Sequence, residues 1–235
     1  IYETYEAKFS RTIESSEISM INNAKGAPVE VSPETIKIIE KGIYYGDLSS
    51  GAFDITIGSV TSLWDFKAEN PVPPSKKALN EALNHVNYKN IVIDGNTVRL
   101  TDSEAAIDLG GIAKGYMADQ LKEFLLNEGV TSAIINLGGN VLTIGEKPDG
   151  TSFNIGIQKP FDKQNATITS VQVMDSSVVT SGSYERYFKV DDTIYHHILN
   201  TETGYPCDNG FLKKRVIFTI AKINIITKLG IVNNI

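Results

Sequence analysis

Asp108-Leu-Gly-Gly-Ile-Ala-Lys-Gly-Tyr116 sets a carboxylate, two adjacent glycines and a lysine where an apolar run changes period. Ala105 to Leu109 reads as a short apolar strand. Ile112, Tyr116, Met117, Leu121, Phe124 and Leu125 then recur at helical spacing until Asn127 and Gly129 stop them. The glycines are therefore expected at a strand-to-helix junction. Unpaired N–H groups and the helix dipole favour an anion there, and residues without Cβ let a phosphate come close to the main chain. Lys114, one turn in, adds a formal positive charge. A plain tight turn accounts for the same glycines. The stretch is not a Walker A loop, because no Ser or Thr follows the Lys-Gly pair and the G-x-x-x-x-G-K spacing is absent; GxGxxG is absent too.

The 235 residues, 41% hydrophobic, suffice for one large domain or two small lobes with a real core. A net charge of −6 argues against a nucleic-acid backbone as partner, which needs a concentrated basic surface. Cys207 is the single cysteine, so no internal disulfide forms, and it reads as a small, partly buried side chain. No run of eighteen apolar residues is present, and no signal peptide is visible. The chain opens at Ile1 without methionine, which reads as a mature or trimmed form.

Ser32-Pro33-Glu34 supplies an N-cap, a first-turn proline and an acidic first turn for a helix expected to reach Leu48. Ser49-Ser-Gly51 breaks it and delivers Ala52-Phe-Asp-Ile-Thr56 onto a loop. Pro71-Val-Pro-Pro74 is a stiff connector, after which Ser75 caps a second helix carrying Leu79, Ala82, Leu83 and Val86. Ile91 to Leu100 alternates around an Asp-Gly turn, a hairpin signal. Ala133 to Asn136, Phe153 to Gln158, Ile168 to Val173 and Ser177 to Thr180 read extended, and Tyr184 to Val190 is expected to pair with Thr193 to Leu199. Helices early and antiparallel strands late indicate an α+β protein rather than a doubly wound parallel sheet. Arg215 to Ile235 differs from the rest, being isoleucine-rich with no acidic residue and no proline; Val216 to Ile220 fits a strand, and the remainder fits neither a capped helix nor a hairpin.

Four further stretches carry candidate chemistry. Gly51-Ala-Phe-Asp-Ile-Thr56 sets Asp54 where either a turn-capping role or a ligand contact is open. Asn136-Leu-Gly-Gly-Asn140 repeats the glycine pair at a strand exit. Thr180-Ser-Gly-Ser-Tyr-Glu-Arg186 offers hydroxyls and amides at Ser181 and Gly182, or simply a polar edge strand. Tyr195-His-His-Ile198 holds two of the three histidines. Neighbours on a strand face opposite ways, so one of His196 and His197 at most enters a given site, which argues against a two-histidine metal centre. An imidazole with its ordinary pKa near 6.5 suits proton transfer from an attacking hydroxyl.

In this order and at these separations, GAFDITIGSVTSLWDF, DLGGIAKGYMADQL, NLGGN, SGSYERYF and HHILNTETGYP resemble the FAD:protein FMN transferase (ApbE-like flavin transferase) family. Ser10 to Ser19 and Asn22 are similar to that family's N-terminal segment, and the resemblance covers residues 6 to 206. It implies a two-lobed α+β fold of helices and mostly antiparallel sheets with a ligand cleft between the lobes. It also implies one domain over residues 1–211, leaving 212–235 as an atypical tail.

The implied activity is that of a transferase: FMN passes from FAD to a threonine of an acceptor protein through a phosphoester, AMP leaves, and Mg2+ assists. Carried over by motif, Ala52, Phe53, Asp54, Asp108, Gly110, Lys114, Ser181, Gly182 and Ile198 would contact the flavin nucleotide. Gly111 would offer its carbonyl to the metal, and His197 would assist the attacking hydroxyl. The implied setting is extracytoplasmic, with the full-length form a membrane-associated lipoprotein. Two departures stand out. Thr12 occupies a place where the family carries an aromatic, and no Asp-Ala-x-x-x-Thr-like metal-binding segment follows Pro206. The second points to weak metal binding and reduced transfer, and keeps open hydrolysis of FAD to FMN and AMP, or FAD binding without catalysis.

Overall fold

The computed structural model describes residues 2–159, 162 and 166–207, together with the backbone of 217–221. In chain order the elements are α1 (Tyr2–Phe9), α2 (Glu17–Asn23), β1 (Val29–Glu30), α3 (Pro33–Leu48), α4 (Gly58–Thr61) and α5 (Lys76–Leu83). The hairpin strands β2 (Ile91–Asp94) and β3 (Thr97–Leu100) lead to α6 (Ala113–Asn127). After it come β4 (Ala133–Leu137), β5 (Asn140–Ile144), β6 (Phe153–Gln158), β7 (Thr167–Val173), β8 (Ser177–Ser181), β9 (Tyr187–Val190), β10 (Thr193–His196) and β11 (Ile217–Ala221). The protein is α+β, and every ladder between these strands is antiparallel.

The chain divides into two compact units. A helical unit holds Tyr2–Gly110 and Arg186–Cys207, and a sheet unit holds Gly111–Glu185 with β11. The chain passes from one to the other between Gly110 and Gly111, within the glycine pair, and returns between Glu185 and Arg186.

In the helical unit α3 spans Pro33 to Leu48 as the sequence predicts, with Ser50 and Gly51 ending it at φ +53° and +84°. Ser32 occupies the N-cap position without capping, because its hydroxyl donates to the Glu17 carboxylate (2.9 Å) instead. Ser75 does cap α5, accepting from the Ala78 amide. The expected hairpin at 91–100 forms and is extended to three strands by β1. The β9–β10 hairpin is shorter than expected but keeps its turn at Asp191-Asp192. Trp64 sits at the centre of an aromatic cluster with Phe66, Phe188, Tyr195 and Tyr205, and its indole N–H donates to the Gly204 carbonyl (3.0 Å).

The expected strand at 105–109 does not form. Ala105, Ile107 and Leu109 are buried as an alternating strand would bury them, but Ala106 makes only an isolated bridge to Ile57. The Asn22 side chain takes the place of a neighbouring strand. Its amide donates to the Ile107 carbonyl (3.0 Å), and its Oδ1 accepts from the Ile107 N–H (2.7 Å). Both main-chain groups are thereby satisfied without a ladder.

The sheet unit is layered. The four-stranded sheet, in the order β11-β8-β5-β4, carries α6 on one face through Ala118, Leu121, Leu125, Ile135, Leu142 and Ile144. The β6–β7 hairpin packs through Phe153, Ile155, Ile157 and Val173 against Val178 and Val141. Strand β5 escapes the sequence reading, which places a strand exit at Asn136–Asn140. The structure shows a two-residue hairpin turn there, with Leu137 opposite Asn140 and Gly138 and Gly139 at φ +59° and +88°. Two successive positive φ values match the twist of the flanking strands and require glycine or a near substitute. The strand expected at 216–220 is present as β11; the rest of the 212–235 tail lies outside the described residues.

Candidate functional site

Each unit gathers a different subset of the residues singled out by sequence. In the helical unit the loop after α3 is pinned from three sides. The Phe53 amide donates to Ser49 Oγ (2.9 Å), and Thr201 Oγ1 donates to the Gly51 carbonyl (2.9 Å), bringing the His-His-Ile loop onto the Gly-Ala-Phe-Asp loop. Asp54 is turned inward and 6% exposed. Its Oδ1 accepts from the Thr56 amide (2.7 Å) and hydroxyl (2.6 Å), and its Oδ2 from the Tyr88 amide (2.9 Å). Burial pushes this carboxyl above its ordinary range, with the three hydrogen bonds opposing. The geometry thus gives Asp54 an internal turn-holding part, while Ala52 is exposed and Phe53 half-buried in the same loop.

Asp108 is also heavily partnered. Its Oδ1 accepts from the Gly110 amide (2.8 Å), Oδ2 accepts from Thr61 Oγ1 (2.9 Å), and Arg11 Nε lies 3.1 Å from Oδ2. This corrects one expectation: the Gly110 N–H, read as an anion donor, is already spent on the neighbouring carboxylate. Arg11 and Thr61 were missed as partners of Asp108, because nothing local marks residues 97 and 47 positions away.

The two histidines separate as alternation requires. His196, at the end of β10, is 3% exposed, and its Nδ1 accepts from the Ile198 amide (3.3 Å), which leaves its proton on Nε2. His197 is half-buried, and its Nδ1 faces the Arg186 carbonyl (3.2 Å). A carbonyl can only accept, so Nδ1 carries the proton and Nε2 is the basic nitrogen of the neutral ring. Ile198, next in the chain, is half-buried, and its carbonyl accepts from the Cys207 amide (2.9 Å). Cys207 is a free thiol pushed up by burial.

In the sheet unit three sequence motifs meet. Helix α6 begins after Ile112 without a side-chain cap. From its first turn Lys114 Nζ reaches the Gly138 carbonyl at 3.5 Å. Thr180 Oγ1 donates to the Gly139 carbonyl (3.3 Å), so the β4–β5 turn is held between Lys114 and the end of β8. Ser181 ends β8, and Gly182 and Ser183 follow it, all three buried, with Gly182 packed so closely on the Tyr184 ring that a Cβ there would lie 2.5 Å from it. Gly111 is half-buried and Gly110 exposed.

Magnesium demands near-octahedral oxygen ligation. Among the described residues no three His, Cys, Asp or Glu side chains gather as a metal site, and Asp54 and Asp108 are already engaged. The Gly111 carbonyl alone does not make such a set, so no chemical step is derived through a metal.

An α+β protein whose glycine turns, lysine, histidine and carboxylates are held by hydrogen bonds within each unit is the class these two units define. The ApbE family model matches residues 1–229, and the chain belongs to the ApbE family. It is 36% identical over 222 residues to an FAD:protein FMN transferase of Klebsiella pneumoniae, covering 93% of this chain and 68% of that protein. It is 31% identical to an FAD:protein FMN transferase of Treponema pallidum, covering 88% of this chain and 61% of that one. The ApbE protein from Thermotoga maritima superposes with a TM-score of 0.86 at 36% identity, covering 94% of this chain and 71% of its own. The chain thus spans about two thirds of the length of the relatives it matches.

Proposed function

We propose that this protein transfers FMN from FAD to a threonine of an acceptor protein. The threonine Oγ attacks the FMN-side phosphorus, the new O–P bond forms as the bond to AMP breaks, and AMP leaves with the electron pair. His197 Nε2 takes the hydroxyl proton. The observation that carries this reading, beside family membership, is the hydrogen bond of that ring: the Arg186 carbonyl at Nδ1 orients the imidazole and makes Nε2 its basic nitrogen. Phosphoryl transfer is mostly positioning and charge stabilisation, so little else is asked of the side chains.

Lys114, with the amides at and after Gly111, would meet the diphosphate, while Ala52, Phe53 and Ile198 would line the nucleotide's rings. Asp54 and Asp108 would shape those loops, and Ser181 and Gly182 complete the proposed contact set. Magnesium would bind weakly at the Gly111 carbonyl. An extracytoplasmic setting with a membrane tether on the full-length form is part of the same proposal; among the described residues no helix is long and apolar enough to cross a membrane.

Incubation with FAD, magnesium and a threonine-bearing acceptor domain tests it. Transfer leaves flavin covalently on the acceptor and free AMP in solution. Free FMN with AMP would replace transferase by hydrolase, and intact bound FAD would reduce the protein to a binding module. His197→Gln should lower transfer by about 10²- to 10⁴-fold while sparing FAD affinity.

A further inference from the structure

Resting on the transferase reading, we propose that Arg11 is a phosphate-binding residue for the flavin dinucleotide, with Asp108 serving as its positioning partner. A carboxylate beside a diphosphate is repulsive on its own. Asp108 is therefore an awkward member of a phosphate-handling motif until its charge is answered. Arg11 answers it, with Nε 3.1 Å from Oδ2.

The mode of pairing matters more than its existence. Where arginine serves only to tie a carboxylate, two parallel N–H groups usually meet both oxygens. Here Oδ1 is turned to the Gly110 amide and Oδ2 is shared with Thr61, and Arg11 makes its closest approach to the carboxylate through Nε. No other ion pair or hydrogen bond holds the guanidinium among the described residues, and the side chain is 34% exposed. Its two Nη groups present a planar fork, the geometry that matches paired phosphate oxygens.

The loop bearing Arg11 is fixed in advance. Ser16 and Ser19 hydroxyls both donate to the Ser10 carbonyl, and the Thr12 amide donates to Ser10 Oγ (3.2 Å). The backbone is thus tied on either side of Arg11, so less side-chain and loop freedom is lost when an anion arrives. Thr12, beside it, offers no ring for stacking. Recognition from this segment is ionic in character.

The test is binding by flavin-fluorescence titration, with FAD and riboflavin as probes on wild type, Arg11→Ala and Arg11→Lys, each checked by thermal melting. Arg11→Ala should weaken FAD by roughly tenfold to a hundredfold, as expected for lost charge-assisted hydrogen bonds. Riboflavin, which lacks phosphate, should change by less than about threefold, and Arg11→Lys should recover part of the loss. Added salt should narrow the gap between wild type and Arg11→Ala. Equal FAD affinity in wild type and Arg11→Ala, or equal losses for FAD and riboflavin, would overturn the assignment while leaving the transferase reading intact. Absence of FAD binding by wild type would overturn both. If Arg11→Ala does not fold, the FAD-to-riboflavin ratio in Arg11→Lys carries the same decision.

Discussion

Replacing Asp54 separates its internal part from ligand contact. In Asp54→Ala the Thr56 and Tyr88 amides both lose a charged acceptor at a site only 6% exposed. A buried donor left unsatisfied costs about 1–3 kcal/mol. The Thr56 hydroxyl has little freedom to compensate, since it already accepts from the Asn87 amide (2.8 Å). Against this stands relief of the burial that pushes the carboxyl upward. A net loss of roughly 2–4 kcal/mol is expected, read from urea unfolding with linear extrapolation. Asp54→Asn, which keeps an oxygen for Thr56 but sets an NH2 group against the Tyr88 amide, should lose about 1–2 kcal/mol.

The same pair of proteins gives a pH signature. Because the folded state raises this carboxyl, the native protein holds the proton more tightly than the unfolded chain. The contribution is full below the unfolded value near 3.8 and is lost as pH rises through the folded one. The stability gap between wild type and Asp54→Asn should therefore narrow from acid toward neutral pH. A loss below about 1 kcal/mol in Asp54→Ala, accompanied by abolished FAD binding, would refute the internal role.

Gly139→Val should lower the melting temperature by roughly 2–8 °C, because φ is +88° and the new Cβ would stand 3.2 Å from Thr180 Oγ1; an unchanged melt would show that the turn tolerates a side chain. The hydrogen bond from His85 holds Asp102 below the ordinary carboxylate range, so its contribution is present above the unfolded pKa and lost as pH falls through the folded one. Asp102→Asn should flatten acid unfolding and, for a partly exposed pair, cost no more than about 1 kcal/mol at neutral pH. Lys114→Gln should weaken FAD binding about tenfold without altering the melt, since its reach to Gly138 is long at 3.5 Å; a matching loss of stability would make that contact structural.

Local chemistry alone determined much of this protein. Pro33 and Glu34 opened α3, Ser75 capped α5, the Asp-Gly turn paired β2 with β3, and helical periodicity ran α6 to Asn127. Each of these is decided by residues within a turn or two of one another. The alternation rule likewise separated His196 from His197 before any coordinates. What only the tertiary structure decided were the partners reached across the chain. Asn22 satisfied Ile107 in place of a strand, Arg11 and Thr61 claimed Asp108, Thr56 and Tyr88 claimed Asp54, and Lys114 with Thr180 framed the Gly138-Gly139 turn. A carboxylate or an amide reads the same in sequence whether it faces a ligand or a buried donor of its own chain. Its remaining lone pairs and protons become countable only when folding has brought distant groups within hydrogen-bond reach.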